Sequence, residues 1–191
     1  MILIIANILS FIGNTLFTLS SLFKSKRNIL LLQSANHILA VISEIMTAAY
    51  SGMVQEAVSL IRNIIFLFAK AKNKMVELII TLTGVVIAVT VGIIINVLLS
   101  GNVWYGYLPI GGTIVYSTFV ILAFMLNVSE LKGEALIKIG LALNSILWGT
   151  YGLFVELYPI LIFNGITLIL CILSLIRIKI IKNKINENSE E

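Results

Sequence analysis

The sequence predicts an all-α polytopic membrane protein with seven transmembrane helices. Of its 191 residues, 59% are hydrophobic and 12% are charged, and the mean hydropathy is +1.07. A soluble domain of this length could not bury so much apolar surface. Most of the charged residues are also gathered into short clusters, and seven apolar stretches can be distinguished along the chain. Each stretch is near the ~20 residues that a helix needs to cross the hydrocarbon core.

The apolar stretches give the order of the predicted helices. They cover residues 2–23, 28–48, 53–70, 76–99, 105–127, 135–155 and 157–178. The segments between them are short, so neighbouring helices should be antiparallel. The first stretch has no basic residue before it and no small-x-small cleavage site, which indicates a retained helix rather than a signal peptide. The polar tail is expected to leave the last helix after about Lys182.

The distribution of basic residues predicts the orientation of the helices. One side of the predicted bundle receives twelve of the thirteen basic residues: Lys24, Lys26, Arg27, Lys70, Lys72, Lys74, Lys132, Lys138, Arg177, Lys179, Lys182 and Lys184. The side that holds residue 1 and the loops near residues 50, 102 and 156 receives none. The basic side should therefore be cytoplasmic, where it would attract anionic lipid headgroups, and the positive charge needs no nucleic-acid partner.

Seven helices suggest two three-helix repeats joined by a linker helix. Shifting the chain by 101 residues places ISEIMTAAYSGMVQEAVSLIRNI (42–64) on LNSILWGTYGLFVELYPILIFNG (143–165), with Asn63 on Asn164. An odd helix between the repeats makes them parallel. The predicted organisation is a first repeat at 1–72, a linker helix at 73–103, a second repeat at 104–182 and a cytoplasmic tail at 183–191.

Two short patterns resemble known families. NSILWGTYGLFVELYPILIFNGITL (144–168) resembles the second half of a SWEET or SemiSWEET repeat, with its W-x-x-Y-G turn and the N-G pair on the next helix. The basic loop, the glutamine in the second helix, the A-Y-x-G turn and the R-N pair of the third helix are together similar to the bacterial inner-membrane Imp-YgjV family.

The resemblance implies a central solute site between the two repeats. By similarity to SWEETs, Asn63 and Asn164 would face each other across it, with Trp148 beside a bound ring. Arg62 has no SWEET counterpart, Phe163 stands where sugar transporters often have proline, and Thr47 replaces a first-repeat tryptophan. These departures leave the solute open beyond a small polar molecule. The implied location is the bacterial inner membrane, with residue 1 outside and the C-terminus in the cytoplasm.

Polar residues inside the apolar stretches are the remaining site candidates. His37 and Glu44 lie on one stripe of the second helix, and Asn144 lies one turn before Trp148 on the sixth. Arg62 is the most unusual of them, because a charge at mid-membrane costs ~2.5–3.5 kcal/mol unless it is paired or hydrated. We expect Arg62 to pair with Glu44. The pair is either a static structural contact or a site at which Arg62 binds a solute while Glu44 acts as counter-ion or proton carrier.

The sequence offers no catalytic motif. It contains no aspartate, a single histidine, and no HExxH, GxSxG or Walker sequence, so we expect neither an enzyme nor a cofactor or metal site. Two functions stay open. One is a transporter or facilitator for a small polar solute by alternating access. The other is a non-transporting protein of SWEET fold, such as a receptor, sensor or assembly factor. A homo-oligomer is compatible with either.

Overall fold

The computed structural model describes residues 1–20, 26–68, 74–125 and 130–187, and this part of the chain forms seven α-helices. Their bounds are α1 Ile2–Ser20, α2 Lys26–Met46, α3 Tyr50–Phe68, α4 Lys74–Leu98, α5 Leu108–Met125, α6 Glu130–Phe154 and α7 Tyr158–Glu187. A short 3-10 helix at Trp104–Tyr107 leads into α5. The predicted all-α fold and its seven helices are thus confirmed.

Five of these helices are long and apolar enough to cross a membrane: α1, α4, α5 together with the 3-10 helix, α6 and α7. The apolar part of α2, Leu30–Met46, is shorter. Helices α2 and α3 are less apolar because they carry most of the buried polar side chains, among them His37, Glu44, Gln55 and Asn63. Their polar groups lie inside the bundle, whereas many isoleucines and leucines of all seven helices are exposed on its surface.

The helices form a closed ring in the order α1, α2, α3, α5, α6, α7. Each helix packs on the next, and α7 returns to α1. Helix α4 packs against α3 and α5, so it lies at the junction between the first three helices and the last three. The side-chain amide of Gln55 on α3 donates a 2.9 Å hydrogen bond to the carbonyl of Ala88 on α4, and the hydroxyl of Thr113 on α5 donates one of 2.7 Å to the Gln55 carbonyl oxygen. One glutamine thus connects three helices.

The α2–α3 and α6–α7 turns share one backbone geometry. Ala48 and Glu156 adopt left-handed φ angles of 55° and 58°. Next to Ala48, the N–H of Ala49 donates to the carbonyl of Glu44, while the N–H of Ala48 donates to Ile45. At the second turn the N–H of Leu157 donates to the carbonyl of Gly152, and the N–H of Glu156 donates to the carbonyl of Leu153. Both helices therefore end in a Schellman motif. We call the end of the bundle that holds these turns the turn end.

The two matching turns do not lie at the interval of 101 residues predicted from the sequence. Helix α3 begins at Tyr50 and α7 at Tyr158, 108 residues later, and the residues with left-handed φ are separated by the same interval. The sequence shift of 101 is wrong by seven residues. Seven residues are almost two helical turns, so the error keeps each side chain on the correct face while moving it along the axis by ~10 Å. In the corrected register Asn63 matches Cys171, and Asn164 matches Glu56.

Helix α7 also continues further than predicted. It runs to Glu187, five residues beyond the expected end near Lys182. The last four residues of the tail lie outside the described part of the chain, as does the predicted boundary between residues 72 and 73. The basic clusters at 24–25 and 70–73 also belong to segments outside the described residues.

Candidate functional site

A central cavity of about 490 Å³ lies inside the bundle and is lined by all seven helices. This volume is in the range of sites that hold one small molecule. The lining is strongly polar for a membrane interior and contains six of the seven residues predicted from the sequence: His37, Arg62, Asn63, Trp148, Asn144 and Asn164. The structure thus brings these six side chains around one space, while their binding of a solute stays a prediction.

Glu44 is the exception, and its predicted contact with Arg62 is wrong. Glu44 lies two residues before the end of α2, next to the turn, whereas Arg62 lies twelve residues into α3. In an antiparallel hairpin these positions differ in depth by ~15 Å, since a helix rises 1.5 Å per residue. The groups that interact electrostatically with Arg62 are Tyr116 and Glu56.

Glu44 occupies a closed position near the turn end. Its side chain has no exposed surface, and neither carboxyl oxygen has a hydrogen-bond partner within the described part of the chain. It lies against Gly52, since a Cβ on that glycine would come within 2.5 Å of Glu44 Oε1 and 2.9 Å of the Tyr151 hydroxyl. Only a residue without a side chain fits at this crossing, so glycine permits α3 to approach both groups.

The ionic contact inside the cavity joins His37 of α2 to Glu56 of α3, through Nδ1 and Oε2. His37 was predicted as a site residue from the sequence, and its partner Glu56 was not. Counting from the turn could have found it, because His37 lies eleven residues before Ala48 and Glu56 eight residues after it. That difference is less than one helical turn, so the two side chains reach nearly the same depth. Glu56 must therefore be added to the candidate site.

Arg62 and Asn63 lie side by side on the cavity wall with unused hydrogen-bond donors. Asn63 is 1% exposed, and its side-chain Nδ2 has no hydrogen-bond partner among the described residues. The Arg62 guanidinium forms no ion pair or hydrogen bond within that same part of the chain, although Glu56 and Tyr116 lie close enough to interact electrostatically. An unpaired buried donor costs roughly 1–3 kcal/mol, so this wall would gain from an added acceptor.

Asn164 differs from Asn63 because its amide donor is already used in a hydrogen bond. Its side-chain amide donates a 2.8 Å hydrogen bond to the carbonyl of Ile160 one turn earlier on its own helix. Asn164 lies six residues into α7, whereas Asn63 lies thirteen residues into α3. The two asparagines therefore line the same cavity at depths that differ by ~10 Å. They are not the symmetric pair that the sequence shift predicted.

Trp148 and Asn144 form the α6 wall of the cavity. A Cβ on Gly112 of α5 would meet Asn144 Oδ1 at 2.7 Å and Trp148 Cδ1 at 3.0 Å, so the glycine lets α5 pack directly on these side chains. The Trp148 ring also stands edge-on to the ring of Tyr151, with centroids 5.9 Å apart. This contact fixes the indole where it can offer a flat apolar face to the cavity.

Tyr151 closes the bundle between the cavity and the turn end. Its hydroxyl donates a 2.9 Å hydrogen bond to the carbonyl of Ala49 and accepts one of 3.2 Å from the N–H of Gly52. The contact joins α6 to the α2–α3 turn, and the tyrosine is 1% exposed. We call these two hydrogen bonds the Tyr151 contact.

Asn7 joins α1 to the α6–α7 turn. Its amide nitrogen donates a 2.9 Å hydrogen bond to the carbonyl of Glu156, and its carbonyl oxygen accepts a 3.0 Å hydrogen bond from the N–H of Tyr158. Beneath this contact, Ala6, Leu157 and Ile160 form a buried apolar cluster.

A second pocket of about 630 Å³ lies at the turn end. It is bordered by both turns and by the 3-10 helix, and Tyr151 forms part of its floor. The central cavity shares no lining residue with this pocket. Tyr151 and the buried Glu44 therefore separate two spaces that follow one another along the bundle axis.

These features define a multi-pass α-helical membrane protein with a polar interior cavity. Residues 4–182 match the model of the Imp-YgjV family, described as bacterial inner membrane protein, and the chain belongs to that family. The resemblance to this family seen in the sequence is thereby confirmed, and the protein is assigned to the bacterial inner membrane. No curated protein and no solved structure matches the chain. In the described residues, no three histidine, cysteine or acidic side chains converge to hold a metal ion.

Proposed function

We propose that the protein is a transporter or facilitator that moves a small polar solute across the inner membrane by alternating access. The observation that carries this proposal is the central cavity, which collects polar side chains from all seven helices at membrane depth. Polar and charged groups inside a membrane are costly and usually mark a solute or ion pathway.

The closure at the turn end supports the same proposal. The Tyr151 contact and the Asn7 contact together make only a few hydrogen bonds between the first three helices and the last three. Each such bond contributes roughly 0.5–1.5 kcal/mol net, and separation of the halves here would also expose the small apolar cluster of Ala6, Leu157 and Ile160. Rocking of the halves would then connect the central cavity to the turn-end pocket. The binding site would stay in place while its access changes sides.

The orientation belongs to the same proposal. Exposed Arg27, Arg177 and Lys179 all lie at least nineteen residues from the turn end of their helices. We place the opposite end of the bundle in the cytoplasm by the excess of positive charge. A cysteine introduced at Asn188 should react with an impermeant thiol reagent in inverted vesicles and not in intact cells. The reverse result would overturn this orientation.

Purified protein in liposomes tests the function. The liposomes would be exposed to a mixture of small polar metabolites, and the solutes that enter would be identified by mass spectrometry against empty liposomes. We expect uptake of at least one solute, reduced in Asn63→Ala and maintained in Thr118→Ala, whose exposed hydroxyl bonds to its own helix. A solute that shifts the thermal stability of the protein but never enters would instead indicate a receptor or sensor.

A further inference from the structure

We infer that the wall formed by Arg62 and Asn63 is an oxyanion site, and that the solute of the central cavity carries a carboxylate or a similar anionic group. The inference rests on the proposed function and names the chemical class of its solute. The observations that carry it are the charges, the unused donors and the burial of this wall.

In the described cavity lining, no carboxylate is bonded to the guanidinium of Arg62. Arg62, Glu56 and His37 are the ionisable side chains that face the cavity together with Tyr116. The Glu56 carboxylate is occupied by His37, through its Oε2. That carboxylate is therefore already bonded to another side chain, and Arg62 has no bonded partner within the described residues.

This wall offers hydrogen-bond donors that no described residue accepts. A guanidinium can present two parallel N–H groups, which match the two oxygens of a carboxylate. The neighbouring Asn63 Nδ2 is buried and unpaired. A neutral solute such as a polyol would satisfy these donors, but a hydrogen bond between a guanidinium and an oxyanion is roughly twice as strong as one between neutral groups. An oxyanion therefore gains more from this wall than a neutral solute does.

The rest of the cavity limits the size and shape of the anion. The volume of about 490 Å³ admits a small organic acid and excludes a lipid with two acyl chains. The Trp148 indole lines the same cavity and offers an apolar face for the body of the solute. The class is therefore a small organic acid with a compact or ring-shaped body.

Arg62 can be probed without replacing it, because the chain contains only three arginines: Arg27, Arg62 and Arg177. The variant Arg27→Lys/Arg177→Lys keeps Arg62 as the sole target of phenylglyoxal. Both replaced residues are exposed and outside the cavity. The protein would be placed in phosphatidylcholine nanodiscs and treated with phenylglyoxal, and the adduct on Arg62 would be measured by mass spectrometry with benzoate, with benzamide or with neither.

We expect phenylglyoxal to modify Arg62 and benzoate to slow this modification several-fold. Benzamide has the same size as benzoate and no charge, so it should leave the rate of modification unchanged. Equal protection by the two compounds, no protection by benzoate, or an Arg62 that never reacts would overturn the anion site. Protection by phosphatidylglycerol nanodiscs without benzoate would assign the site to a lipid headgroup and also overturn the inference.

Binding measurements separate this inference from the proposed function. Titration calorimetry with benzoate should show binding to the parent protein and a loss of at least tenfold in affinity in Arg62→Gln, since one charged hydrogen bond contributes ~1.5–3 kcal/mol. Arg177→Gln is the matched control and should bind as the parent does. If the liposomes take up only neutral solutes, transport stands and the anionic class is wrong. If benzoate binds and nothing enters, the anion site stands and transport is wrong.

Discussion

At the scale of single residues, the observed site differs from the predicted one in which ionisable side chains touch. His37 and Glu56 are in direct contact, whereas Glu44 and Arg62 are too far apart in depth to touch. We expect Glu56→Gln and His37→Gln to show a coupling of ~1 kcal/mol in a double-mutant cycle, because each variant removes the same contact. Unfolding in detergent measures each free energy.

The control is the cycle of Glu44→Gln with Arg62→Gln. Sites more than about 7–10 Å apart add to within ~0.3–0.5 kcal/mol. Additivity is therefore expected for this pair, and a coupling as large as that of His37 with Glu56 would mean that the two side chains meet after all.

The two asparagines of the cavity should also differ in their effect on solute binding. Asn63 has a free amide donor, while the donor of Asn164 is used by the carbonyl of Ile160. We expect Asn63→Ala to weaken binding of a transported solute by about threefold to tenfold, the equivalent of one hydrogen bond. Asn164→Ala should weaken it less. Equal losses in the two variants, measured by titration calorimetry, would favour the symmetric pair predicted from the sequence.

At the scale of helices and turns, Gly52 is the position where α3, the Glu44 carboxyl and Tyr151 meet. Gly52→Ala would place a Cβ at 2.5 Å from Glu44 Oε1 and 2.7 Å from Tyr151 Cε1. Both neighbours are fully buried and have no space to retreat, so we expect a loss of ~1–3 kcal/mol in the free energy of unfolding, as in other overpacked sites. The measurement is the midpoint of thermal unfolding in detergent.

Gly165→Ala is the matched control. Its Cβ would meet nothing within 4 Å, and alanine favours a helix over glycine by roughly 1 kcal/mol. The variant should be as stable as the parent or slightly more so. If Gly52→Ala behaves in the same way, the close approach of α3 to Glu44 and Tyr151 is absent.

The helices could be predicted from the sequence, and the contacts between them could not. Seven apolar stretches separated by short charged or turn-forming segments define seven helices because the membrane fixes their length and composition. The face of each helix was also predictable, since His37, Arg62 and Trp148 all line the cavity. The position of a residue along the helix axis was not predictable from the alignment of the two halves. A shift of seven residues changes the depth of a side chain while leaving its face of the helix almost unchanged. The symmetry of the asparagines failed for this reason, whereas the pairing of Glu44 with Arg62 failed because the depth of each residue was not counted from the turn that joins α2 to α3.

At the scale of the whole molecule, the arrangement of two spaces along one axis makes the Tyr151 contact the expected gate. Tyr151→Phe removes the hydroxyl that bonds to Ala49 and Gly52, and it leaves the aromatic ring in place against Trp148. The closed state at the turn end would lose two hydrogen bonds. The open state would lose neither, since the halves are already separated there. The variant should therefore shift the population towards opening at the turn end.

Access to a cysteine inside the central cavity measures this shift. Ser145 is buried and lines the cavity, so Ser145→Cys in a Cys171→Ser background provides a single reporter. An impermeant thiol reagent added to intact cells should label it about tenfold faster in Tyr151→Phe, since ~1.4 kcal/mol corresponds to a factor of ten. Tyr158→Phe is the control, because the backbone N–H of that residue, and not its hydroxyl, bonds to Asn7. Equal labelling rates in Tyr151→Phe and the parent would show that the Tyr151 contact does not control access, and the proposed gate would have to lie elsewhere in the bundle.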